Sequence, residues 1–121
     1  MLGYSLSPLP LTILVPNTFG EEVPSECSVT IGHLIDYLSN SGLIFIRNDQ
    51  EYDAHAAAIH LKDKYNYLQT DIQTPEQFIE KVGSKSMLSG KLYLVRLKDG
   101  TTVALEKWLR EELVRFSNSK K

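Results

Sequence analysis

A single cysteine, Cys27, is all the thiol this chain of 121 residues has, so no intramolecular disulfide can form. Its neighbours read Cys27 as a small, half-buried residue near a helix start. Positive charge is not in excess. Thirteen Lys and Arg stand against fifteen Asp and Glu, a formal net charge of −2, which excludes the basic profile of a nucleic-acid binder. Long apolar runs are missing as well. The stretch Leu9 to Val15 is interrupted by Pro10 and falls far short of the ~20 residues that span a bilayer, so no transmembrane segment is expected. After Glu22 there is no repeat, low-complexity tract or long linker. With 42% hydrophobic and 23% charged residues the chain is not composed as a disordered one, and its length fits a single domain of about 100–150 residues.

The most local absence is at the beginning. Residues 1–20 carry no charged side chain, and every one of the thirteen basic and fifteen acidic residues lies in 21–121. Two readings fit this segment: a remnant of a secretory signal cut after Thr18-Phe19-Gly20, or a disordered apolar tail with three prolines, Pro8, Pro10 and Pro16. In either case the domain is expected over 21–121.

Within it, Ile31, Leu34, Ile35 and Leu38 recur at helical spacing, predicting a helix from Ser25 or Ser28 to Ser39, stopped by Asn40-Ser41-Gly42. Leu43 to Arg47 is rich in β-branched and aromatic residues and predicts a strand, and Asn48-Asp49-Gln50 a turn. Asp53 is placed to cap a helix from Ala54 to about Leu68, with the stripe Ala54, Ala57, Ala58, Leu61, Tyr65 and Leu68 inward. Thr74-Pro75-Glu76-Gln77 has the cap, proline and glutamine of a helix start, and Gly83 ends that third helix. Residues 84–91, SKSMLSGK, form a polar loop. Leu92 to Leu97 and Thr102 to Ala104 are strands joined through Asp99-Gly100. A final helix from Leu105 buries Trp108, Leu109, Leu113 and Phe116, with Ser117 to Lys121 frayed. The order α-β-α-α-β-β-α is that of an α+β fold, a small antiparallel sheet of about three strands covered by about four helices.

Metal chemistry has little support in these residues. His55 and His60 are five apart, about 140° around a helix, whereas zinc sites on helices use i, i+4 pairs. His33 is read as a surface partner of Asp36. No cofactor motif is present: Gly83 and Gly90 are too far apart for GxxxxGK[ST], and Leu92 follows Lys91. No SxxK motif exists, since Val82 and Leu88 stand three residues before Lys85 and Lys91, and no GxSxG elbow is found.

What remains is polar and concentrated. His60 and Lys64 are four apart on one helix face, beside the apolar stripe. The plain reading packs His60 at the core edge and leaves Lys64 in solvent; the sharper one makes them a shelf facing the SKSMLSGK loop. That loop brings Ser84, Ser86, Ser89, Gly90 and Lys91 together with Lys85, the makings of an anion nest or simply of a capped turn. Lys85, Lys91, Arg96 and Lys98 against Asp99 make residues 84–99 locally basic, without the aromatic interleaving of a single-strand binder.

Residues 43–93 resemble the YfeK-like family of small bacterial proteins of unknown function. The resemblance rests on Phe45-Ile46-Arg47-Asn48, Tyr52, Ala57-Ala58, His60-Leu61, Lys64, Thr74, Phe78-Ile79, Val82, Ser84, Ser86, Ser89-Gly90-Lys91 and Tyr93. It implies an envelope or periplasmic location and a removed leader, although the basic start and Ala-x-Ala site of the usual leader are missing here. It implies no activity, substrate or catalytic residue. It does group Arg47, Asn48, His60, Lys64 and the 84–91 loop, which are expected to converge at one end of the sheet.

The leading expectation is a non-enzymatic binding domain that takes a protein partner or a small anionic ligand through that cluster, without a cofactor. The alternatives are a small hydrolase with Ser86 or Ser89 as nucleophile and His60 as base, or a buried polar network with no ligand. Oligomeric state is left open by Trp108 and Phe116, which can pack on the chain's own sheet or on a second copy.

Overall fold

The computed structural model describes residues 25–120; the uncharged leader expected over 1–20, its cut and the domain start at Glu21 lie outside the described residues. Helix α1, Glu26–Ser39, begins where the Ser25 hydroxyl accepts the Ser28 N–H at 3.1 Å. Its stripe of Ile31, Leu34, Ile35 and Leu38 is buried as the spacing predicts, joined by Thr30. The chain then turns through Gly42, at φ +70°, a left-handed conformation that glycine adopts without strain.

Strand β1, Ile44–Arg47, is followed at once by β2, Gln50–Asp53, with Phe45 opposite Tyr52 and Arg47 opposite Gln50. The two-residue loop between them holds both Asn48 (φ 52°) and Asp49 (φ 66°) in the left-handed region, as a type I′ hairpin requires. The expected turn is therefore the tip of a hairpin. Gln50-Glu51-Tyr52-Asp53 escaped notice as a strand because an exposed edge strand needs no apolar alternation.

Helix α2, Ala54–Leu68, is capped by the Asp53 carboxylate, which accepts the Ala56 N–H at 2.8 Å. After a 3₁₀ turn at Gln69–Asp71, α3 spans Pro75–Lys81. The Thr74 hydroxyl accepts the Gln77 N–H at 3.0 Å, and the Gln77 side chain accepts the Gln73 N–H, one residue before the position of a standard capping box. Strands β3, Leu94–Arg96, and β4, Thr102–Ala104, form the second hairpin, and α4 runs Leu105–Ser119, past the expected fraying point.

The four strands lie in the order β2-β1-β3-β4, all neighbours antiparallel. The fold is α+β as expected, with one strand more than the three read from the sequence. Tyr52, Phe45, Val95 and Val103 form one row across the sheet. That row faces the helices: Trp108 of α4 meets Phe45 edge-on at 5.7 Å between ring centres. Behind it Phe78, Ile79, Val82, Leu109 and Leu34 are fully buried. Trp108 and Phe116 pack within the chain, Trp108 on Tyr37 and Phe116 on His33.

Side chains alternate along a strand, so Arg47 shares the side of Phe45. The last residue of β1 thus points a cation toward the side on which α2 lies. In the hairpin tip, Asn48→Val is expected to be less stable than Asn48→Gly by about 1–2 kcal/mol, since only the first forces a β-branched residue into the left-handed region. Urea unfolding of both variants measures the difference, and equal losses would contradict the backbone account.

Candidate functional site

Tyr93 enters the sheet just before β3, with its ring buried and its hydroxyl under α2. One turn of α2 separates His60 from Lys64, and both reach that hydroxyl. The Lys64 ammonium donates to it at 3.1 Å and to the Lys85 carbonyl at 2.7 Å. An ammonium only donates, so the tyrosine proton is left for His60 Nε2, 3.2 Å away. Lys64 Nζ also lies 4.8 Å from the Tyr93 ring centre.

Lys64 is 8% exposed, which sets aside the reading that leaves it in solvent and supports the one that turns it toward the loop: the loop carbonyl and the tyrosine hydroxyl satisfy a cation that the helix face drives inward. Burial, and then the nearby Arg47 guanidinium, push its pKa down to about 8. Burial, Arg47 and Lys64 in that order lower the His60 pKa, against the opposing pull of Asp63. Burial raises that of Tyr93, with Arg47 acting the other way.

Arg47 closes the group. Its guanidinium donates to the Tyr52 hydroxyl at 3.2 Å and lies 5.1 Å from that ring's centre. Among the described residues it forms no ion pair with a carboxylate. It borders a cleft of about 250 Å³ between α2 and the sheet, whose walls include Phe45, Ala56, Ala57, Ile59, His60 and Tyr93.

The 84–91 loop is organised by its own side chains. The Ser84 hydroxyl donates to the Glu80 carbonyl at 2.5 Å, and the Ser84 carbonyl accepts the Tyr93 N–H at 2.9 Å. Ser86 Oγ accepts the N–H groups of Leu88 and Ser89 and the side-chain amide of Asn48. The Ser89 hydroxyl donates to the Asn48 side-chain oxygen and accepts the Lys91 N–H. The Gly90 N–H is given to the Ser86 carbonyl. These N–H groups are engaged within the loop itself, the arrangement of a capped turn.

The residues grouped by sequence therefore divide. Arg47, His60 and Lys64 gather round Tyr93. Asn48, Ser86 and Ser89 clamp the first hairpin tip to the loop, Gly90 closes the loop on Ser86, and Lys91 reaches the exposed Asp49 carboxylate at 2.5 Å. Neither the Ser86 nor the Ser89 hydroxyl is a hydrogen-bond partner of His60. Tyr93 and Tyr52 were missed as site residues, although both stand in the YfeK-like pattern. Elsewhere, His33 faces Glu112 across the α1–α4 seam at 2.6 Å, which corrects its assignment to Asp36; Arg115 holds the other Glu112 oxygen.

Residues 25–117 match a family described as "Family of unknown function (DUF5329)". The chain belongs to this family. It is also 41% identical over 51 residues to "Uncharacterized protein YfeK" of Salmonella typhimurium, a stretch covering 42% of this chain and 42% of that protein. The match thus spans less than half the length of that relative, and supports the resemblance seen over 43–93. No solved structure matches the chain. Within the described residues of this DUF5329 member, no helix is long and apolar enough to cross a membrane.

Lys64 gives the site a pH signature. The unfolded chain keeps its proton to the ordinary lysine value of 10.5, the folded one only to about 8. Between these values the unfolded state binds more protons, so this residue makes stability rise with pH; below about 8 the cost of burying the ammonium is fully present. Urea midpoints compared at about pH 7.5 and about pH 9.5 should show that gain in the wild type and its loss in Lys64→Met. The same slope in both proteins would contradict the assignment.

Proposed function

We propose that this domain binds an apolar group bearing an anionic end in the cleft beside Arg47, and performs no chemistry on it. The observation that carries the reading is the Arg47 guanidinium, without a carboxylate partner among the described residues, at the edge of a cleft with apolar walls. Ligand sites in proteins are concavities of this character, with a few polar groups that set orientation. At about 250 Å³ the cleft is just below the usual size of such sites, suited to one short tail or side chain. Lys64 adds to the positive potential behind Arg47; burial is the larger cause of the lowered Lys64 and His60 pKa values, and the Arg47 charge beside them is the part that an anion would relieve. An envelope location, as the family resemblance implies, belongs to the proposal.

For the 84–91 loop the better reading is structural: Ser84 and Ser86 are buried and their hydroxyls bonded within the protein. The hydrolase alternative has no serine–histidine contact to support it.

Calorimetric titration with sodium octanoate and with octanamide tests the proposal. Octanoate is expected to bind, and octanamide to bind about tenfold more weakly or worse, since a charge-assisted hydrogen bond contributes more than a neutral one. Arg47→Ala should lower octanoate affinity by about tenfold while leaving the thermal midpoint nearly unchanged. Equal affinity for the two probes, or unfolding of the Arg47 variant, would show a structural role instead.

A further inference from the structure

The cleft does not end at Arg47. A second groove of about 300 Å³ continues from it, and the two share Arg47, His60, Asp63 and Tyr93. Its outer wall is Tyr67, Met87 and Leu88, which are 78%, 60% and 95% exposed. Large apolar side chains so open to water mark contact surfaces when they adjoin one another and a cleft. These are also held in place. The loop carrying Met87 and Leu88 is pinned by the Ser86 and Asn48 hydrogen bonds, which hold Ser86 inward and leave the apolar pair outward. A cationic centre thus sits between two apolar lobes, one walled by Ala56, Ala57 and Ile59, the other by Tyr67, Met87 and Leu88.

Resting on the binding reading above, we infer that the occupant is an extended peptide segment of a partner protein, in which one acidic side chain is flanked on both sides by apolar ones. The acid meets Arg47; the flanking side chains fill the two lobes. A fatty acid fills one lobe and leaves the exposed trio uncovered. An anionic lipid surface fits the charges less well. Lys64 is buried, Lys91 is held by Asp49, and the exposed Asp63 carboxylate stands on the shared rim. That same Asp63 selects against a run of acids and in favour of a single one.

The test is panning of a phage-displayed random heptapeptide library on the intact protein, followed by affinity measurements on the enriched peptide. Enriched sequences should carry one Asp or Glu with Leu, Ile, Met or Phe on either side, and octanoate should compete with them. Leu88→Asp, at an exposed position, should weaken the peptide by about tenfold and leave octanoate binding intact, whereas Arg47→Ala should weaken both. Octanoate binding without any enriched peptide, or peptide affinity indifferent to Leu88→Asp, would overturn the inference while sparing the binding reading. Failure of octanoate to bind would remove both. Co-sedimentation with phosphatidylglycerol–phosphatidylcholine vesicles that depends on Leu88 would replace the peptide with a lipid surface.

Discussion

The Tyr93 hydroxyl, set between the Lys64 ammonium and the His60 imidazole, is the contact on which the rest of the site depends. Its residue is tied on every side. The backbone N–H of Tyr93 is given to Ser84 at the exit of α3, and its carbonyl accepts the Leu105 N–H that opens α4. One side chain therefore joins α2 to the sheet while its backbone joins the loop to the last helix. Lys64 can be buried only because this hydroxyl and the Lys85 carbonyl accept its hydrogen bonds, since an unpaired ammonium in such a place is strongly penalised. Among the described residues no buried side-chain nitrogen or oxygen lacks a partner. The network is complete in itself, and a complete network holds one arrangement.

Completeness inside leaves the cation at the edge available. The cluster answers its internal hydrogen-bonding needs without a carboxylate, so among the described residues the Arg47 and Lys64 cations stand together beside His60, with the exposed Asp63 carboxylate on the rim. The α1–α4 seam shows the opposite solution: there His33 and Arg115 both engage Glu112, and the charges close on themselves. Two polar clusters of similar composition thus differ in one respect, and that difference is why the binding proposal attaches to the first.

Three of the helices were legible from their own punctuation: Asp53 and Thr74 cap as read, and of the two starts offered for α1 it is Ser25 that caps; α4, without a side-chain cap, was legible from its apolar face alone. Strand β2 was not legible, because an edge strand of Gln, Glu, Tyr and Asp buries almost nothing and is made by the turn before it. The convergence of Arg47, Asn48, His60, Lys64 and the loop was read correctly as a neighbourhood, but not as two separate arrangements. That division depends on Tyr93, which the sequence places only within the apolar run of a strand. Its ring is core. Its hydroxyl is the centre of the site, and no local spacing distinguishes the two halves of a buried tyrosine. Lys64 was left between two readings for a related reason: a lysine at i+4 from a histidine can face solvent or the loop until the acceptors opposite it are known, and the Lys85 carbonyl decides for the loop.

The central claim is that the space beside Arg47, His60 and Tyr93 receives a ligand. Two-dimensional ¹H–¹⁵N NMR of the whole chain, titrated with sodium octanoate, tests it most directly. The account predicts saturable shifts confined to Arg47, Tyr52, Ala57, His60 and Tyr93 and their immediate neighbours, with the α1–α4 seam undisturbed. Shifts that do not saturate, or that centre on His33 and Glu112, would contradict it.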